Sequence, residues 1–273
     1  MSEFTRCFLL VFGQLAVGGI AGLAVPPFAV LERGFYKSSA GVFAGCAIGF
    51  LLGRVGLVVR TGAVSTSGAL ELAAWAIFAL ATSLYLASLW GESNTRRARA
   101  YVAALFSGLA ALSVSAILVQ PAPLFPAGFV LYPIAFITGA LSLGAVATGM
   151  LLGHWYLIDL GLSIEPLARM FRYFMWVLVL HLAAMALALV VAEVSGGAGA
   201  VAVATLFREH TPLLLTRIVL GPVAALALGY MIYRTLQIPQ TMAATGLFYI
   251  AILAVVVGEL LGRLILFRTA LPL

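Results

Sequence analysis

Residues 241–267 read TMAATGLFYIAILAVVVGELLGRLILF. No proline interrupts the run, and its charged residues are Glu259 and Arg263 alone. A helix needs roughly 20 mostly apolar residues to cross a bilayer, so this stretch predicts a membrane span. Seven further runs of the same kind precede it, at approximately 7–30, 39–59, 66–90, 99–119, 127–158, 166–192 and 212–236. The breakers between them agree. Pro26-Pro27 ends or kinks the first run, and Pro121, Pro123 and Pro126 break the chain between the fourth and fifth. Ser163-Ile164-Glu165-Pro166 predicts a helix start, with Ser163 as cap and proline in the first turn. The glycine-rich stretch Ser195 to Gly199 separates the sixth run from the seventh, and Pro222 predicts a kink within the seventh. The fifth run is long enough for its end to tilt or lie in the interface. No small-x-small cleavage pattern follows the first run, which therefore reads as an uncleaved helix.

Composition explains why lipid must cover these helices. Of 273 residues, 64% are hydrophobic and 9% charged, against about 25% charged in soluble domains. The expected fold class is all-α, a polytopic transmembrane bundle of about eight spans forming a single transmembrane domain over residues 1–273. The net charge of +6 does not point to nucleic acid, because the basic residues gather at the ends of apolar runs as interfacial anchors do. Cys7 and Cys46 stand alone in apolar surroundings and read as packing residues rather than metal ligands.

Topology follows from the basic residues. With the N-terminus outside, the cytoplasmic loops hold Arg33, Lys37, Arg96, Arg97, Arg99, Arg169, Arg172 and Arg234. Setting aside Arg54, Arg217 and Arg263, which fall inside spans, that is eight against four (Arg6, Arg60, Arg208 and Arg268). Both termini are expected outside. Small-residue stripes show where helices meet: Gly41, Gly45, Gly49 and Gly53 on the second span, Gly18 and Gly22 on the first, Gly258 and Gly262 on the eighth.

Ionisable groups within spans are costly and face a bundle interior, a cavity or one another. The 1.5 Å rise per residue places Gln14, Arg54, Glu71, Arg217, Glu259 and Arg263 about 6 to 12 Å beneath the surface that carries the N-terminus. Glu259 and Arg263, spaced i, i+4, can pair on one helix face, and Arg54, Glu71 and Arg217 can complete a charge-balanced network. Two readings stay open: buried ion pairs or snorkelling arginines that set helix register, or a polar pocket whose carboxylates exchange protons.

The histidines bear on haem. His154, in Gly153-His154-Trp155-Tyr156, lies about one turn from the loop it shares with the sixth span, and His181 about four turns from it, an offset of roughly 16 Å. They cannot ligate one iron. His210 sits in the polar stretch Arg208-Glu209-His210. There is no haem-attachment or iron–sulfur cysteine pattern, so no haem or metal is expected in this chain. His154 reads as an interfacial anchor beside Trp155 and Tyr156, or as a proton relay or quinone contact near its own face. His181 reads as a hydrogen-bonded core residue, or as the inner wall of the polar pocket.

The first span contains Val11-Phe12-Gly13-Gln14-Leu15-Ala16-Val17-Gly18-Gly19, and the last contains Gly258-Glu259-Leu260-Leu261-Gly262-Arg263-Leu264-Ile265-Leu266-Phe267. Both resemble the first and last helices of the membrane anchor subunits of dimethyl sulfoxide reductase, which group with the polysulfide-reductase-type quinol-binding subunits. The resemblance covers about 25 residues, with Gln14, Glu259 and Arg263 as matched positions; Arg54, Glu71, Arg217 and His181 are added by depth alone. It implies a non-catalytic or quinol-oxidising subunit of an oxidoreductase complex in the bacterial cytoplasmic (inner) membrane. Its ligand would be a non-covalently bound quinone or quinol. Its partners would be an iron–sulfur subunit and a larger catalytic subunit on the face bearing the N-terminus. On that reading Glu259, Glu71 and His181 handle protons, and Gln14, Arg54, Arg217, Arg263 and His154 contact the quinone. A small transporter or channel, and a haem b cytochrome subunit, are the competing functions.

Overall fold

The computed structural model describes residues 3–62, 65–119, 127–159, 161–238 and 240–273, apart from the side chain of Thr61. The expected breakers Pro121, Pro123 and Pro126 lie outside the described residues. The chain is an integral membrane protein whose described residues form an all-α bundle. Eight helical segments are long and apolar enough to cross a membrane. In order they are α1 (Glu3–Gly22), α2 (Arg33–Thr61), α3 (Thr66–Ser88), α4 (Asn94–Leu118), α5 (Gly128–Trp155), α6 (Glu165–Val194), a seventh span described below, and α10 (Thr241–Thr269).

Several boundaries differ from the sequence expectation. α1 ends at Gly22, ahead of Pro26-Pro27, and the Tyr36 hydroxyl donates to the Pro26 carbonyl at 2.8 Å. α6 starts after Ile164, not after a Ser163 cap; the Ser163 carbonyl instead accepts from the Tyr156 hydroxyl at 2.6 Å. Serine caps act elsewhere, with Ser65 accepting from Gly68 N–H at 3.1 Å and Ser93 from Arg96 N–H at 3.3 Å.

The glycine-rich stretch between the sixth and seventh spans is not a simple linker. It opens α7 (Gly197–Glu209), which is too short to span. α7 buries Gly199, Ala202, Val203 and Leu206, the three-and-four spacing of one helix face, and packs on α6, α8 and α10. The seventh span runs through α8 (Thr211–Ile218), one π-helical turn at Val219–Val223, and α9 (Ala224–Gln237). Pro222 lies in that turn. Proline has no N–H for the helical ladder, and the widened turn accommodates the loss.

The spans form two groups of four. α1–α4 pack in a ring (α1 on α2, α2 on α3, α3 on α4, α4 on α1); α5, α6, the seventh span and α10 pack in another. The seam is α1 against α5, supplemented by α1 on α10 and α4 on α5. At its centre a methyl group on Gly18 would overlap the Ala140 carbonyl, and one on Gly144 would overlap the Gly18 backbone. The α1 stripe therefore packs as expected, with Gly22 against Thr148. The α2 stripe does not: among the described residues a methyl on Gly41, Gly45 or Gly49 would meet no neighbouring element within 4 Å, whereas one on Gly53 would meet Leu9. Glu3 and Arg268 pair at 2.9 Å, tying the start of α1 to the end of α10 on one face of the bundle.

Candidate functional site

The six residues grouped by depth do not converge into one cluster. They divide between the two four-helix groups.

In the second group, Glu259 on α10 is the hub. Its Oε1 accepts from Arg217 Nη2 at 2.8 Å and lies 2.9 Å from His181 Nε2. Its Oε2 accepts from Arg263 Nη2 at 3.0 Å and from Gln14 Nε2 at 3.3 Å. Gln14 also donates to the Phe136 carbonyl at 3.1 Å. His181 Nδ1 stands 3.1 Å from the Thr138 hydroxyl, and the Arg263 guanidinium lies 4.2 Å over the Phe136 ring. Every charged member is buried. Glycines make the room: a methyl at Gly139 would overlap Glu259, and one at Gly221 or Gly258 would press on Arg217. Two guanidiniums share one carboxylate, a formal +2 − 1 = +1 with His181 neutral. His181 is thus a buried, hydrogen-bonded core residue within this cluster.

In the first group, Arg54 on α2 pairs with Glu71 on α3. Glu71 Oε1 also accepts from the Ser115 hydroxyl at 2.7 Å, and Ser115 accepts from the Trp75 indole N–H at 2.8 Å. Trp75 packs at a tilt against Phe50, ring centroids 3.9 Å apart. Arg54 is one-third exposed and Glu71 only 7%. This pair borders a cleft of about 480 Å³ with walls from α1, α2, α3, α4 and the end of α10, including Leu9, Leu10, Phe50, Leu57, Leu118 and Phe267. The cleft lies at the end of the bundle that carries the N-terminus. None of the Glu259 cluster borders it.

α1 runs between the two polar groups. Gly13 packs on Trp75 and Phe50 beside the cleft, and the next residue, Gln14, reaches Glu259 across the seam. Consecutive helical residues point about 100° apart, so one helix serves both sides.

His154 stands apart from both. It is exposed at the far end of α5, 3.1 Å from the Tyr249 hydroxyl. That end is opposite the cleft, which removes His154 from any shared site with Arg54 and Glu71. Ser115, Trp75 and Thr138 complete the polar groups and were missed in the sequence. Trp75 had a signal, four residues after Glu71 on the same helix face; Ser115 and Thr138 had none, since a serine or threonine in a span most often bonds its own helix. Among the described residues, no three His, Cys, Asp or Glu side chains are grouped to hold a metal ion.

Comparison with protein-family models and with curated proteins finds no match to this chain.

Proposed function

We propose that this protein is a quinone-reactive subunit of a membrane redox complex, with the Arg54–Glu71 cleft as its quinone site. The observation that carries the reading is the cleft itself: a largely apolar slot of about 480 Å³ with one buried carboxylate, Glu71, and two guanidiniums, Arg54 and Arg6, at its wall. Small-molecule sites are of that kind, about 300–1,000 Å³ and largely apolar with a few polar groups that orient the ligand.

The chemistry suits quinol oxidation. A quinol gives up two electrons and two protons. Glu71 is the nearer base: its carboxylate takes a proton from a quinol hydroxyl, and Ser115 and Arg54 hold it in place. Arg54, partly exposed, donates a hydrogen bond to the second ring oxygen, and the second proton leaves directly to water at the cleft mouth. The electrons leave to an iron–sulfur subunit docked on the N-terminal face, where the cleft opens, and from there to a larger catalytic subunit.

This reassigns the roles given to the matched positions. Glu259, Gln14, Arg217, Arg263 and His181 form a buried cross-brace instead, and Glu71 and Arg54 keep the proton and quinone roles expected of them.

The test is direct binding. Purified protein in mild detergent is titrated with ubiquinone-1 and with menadione. Saturable binding is expected, weakened about tenfold or more in both Arg54→Gln and Glu71→Gln, the loss of one charged hydrogen-bond partner. Undiminished binding in both variants refutes the cleft assignment. Solute uptake or conductance by the chain alone in liposomes, without quinone binding, would favour the transporter reading.

A further inference from the structure

At the opposite end of the bundle two clefts adjoin, sharing Ala24 and Arg169. One, about 390 Å³, lies between the α1–α2 connection and the start of α4, and is bordered by Phe28, Tyr36, Tyr85, Arg97 and Tyr101. The other, about 650 Å³, lies along the start of α6, bordered by Arg172, Tyr173, Trp176 and Glu165. Glu165 and Arg172 neutralise each other at 2.8 Å. Among the described residues, Arg97 and Arg169 have no carboxylate partner. Arg97 is held in place, stacked 3.9 Å over the Phe28 ring and donating to Asn94 Oδ1, and its Nη1 is buried with no acceptor. The double cleft therefore carries two uncompensated guanidiniums. The first turns of α4 and α6 border it, adding the partial positive charge of two helix N-termini.

We propose that this double cleft binds the phosphate of an anionic glycerophospholipid, with Arg97 and Arg169 as its ligands. Three features select a lipid over a soluble phosphate. The clefts sit at the level of helix ends, where headgroups lie. Their walls are aromatic, as in an interfacial belt. Trp176, 73% exposed, and the apolar loop at Val25 and Phe28 line the way from the phosphate position to the lipid-facing surface, as acyl chains require. Basic pockets between spans bind anionic headgroups by the same electrostatics. The site lies at the other end of the bundle from the quinone cleft and does not depend on that reading.

The experiment is native mass spectrometry of delipidated protein exchanged against phosphatidylglycerol or phosphatidylcholine. The wild type is expected to retain phosphatidylglycerol over phosphatidylcholine by about tenfold. The Arg97→Ala/Arg169→Ala variant is expected to lose that preference, whereas Arg208→Ala, an exposed arginine on α7, keeps it. Arg169→Gln alone, at an exposed position, gives the same readout if the double variant does not fold. No preference in the wild type, or preference kept in both cleft variants, overturns the proposal. So does displacement of the lipid by millimolar inorganic phosphate, which would mark a site for a soluble anion.

Discussion

Glu259 Oε1 and Arg217 Nη2 stand 2.8 Å apart, both side chains buried, although 42 positions separate them in the chain. The contact joins α10 to the seventh span beside its π-helical turn, where Gly221 lets the two backbones approach at Gly258. With Arg263, His181 and Gln14 on the same carboxylate, one side chain ties together four spans.

Removing that charge should unfold rather than inactivate. Glu259→Gln leaves two guanidiniums without a counter-charge, and breaking a buried ion pair from one side costs about 3–5 kcal/mol. Thermal unfolding in detergent should show a marked loss of stability. A variant as stable as the wild type would show that the cluster does not brace the bundle.

Two glycine substitutions should part company. Gly144→Ala forces a methyl into the backbone of Gly18, and backbone cannot step aside, so the cost exceeds about 3 kcal/mol. Gly45→Ala adds the same methyl where nothing lies within 4 Å, and is tolerated or slightly stabilising, by up to about 1 kcal/mol. Size-exclusion yield of tagged protein separates the two; equal yields would contradict the seam.

Trp75 should report on the cleft. Its indole bonds Ser115, which bonds Glu71, and its ring packs against the cleft-lining Phe50. Quinone entering the cleft is expected to quench its fluorescence, and Trp75→Phe to remove the saturable component of the quenching. The other three tryptophans serve as the internal control, and saturable quenching that persists without Trp75 would move the binding event elsewhere.

Alkaline pH should loosen the connection after α5. Burial pushes the Tyr156 phenol up from an ordinary 10 to about 12, and its hydroxyl holds the Ser163 carbonyl at 2.6 Å. The fold favours the protonated phenol. Its contribution is complete below about pH 10, where the unfolded chain also keeps its proton, and disappears as the pH rises through about 12. Unfolding temperatures of wild type and Tyr156→Phe should differ at about pH 8 to 9 and converge above about pH 12. A constant difference would exclude the phenol as its source.

Hydropathy alone determined that the chain carries eight helices able to cross a membrane, because a spanning helix must be long and apolar and such runs announce themselves residue by residue. Depth was legible for the same reason: a fixed rise per residue put Gln14, Arg217, Glu259 and Arg263 at one level, and they do meet. Rotation about each helix axis was not legible. Gln14 and Gly13 are adjacent in sequence, yet they face different halves of the bundle, and Arg54 and Glu71 share the others' depth but look into a separate cleft. The open α2 stripe has the same glycine spacing as the packed α1 stripe. Which face of a span meets a neighbour depends on where the other seven helices lie, and with lipid as apolar as the core, no polarity pattern in the sequence records that choice.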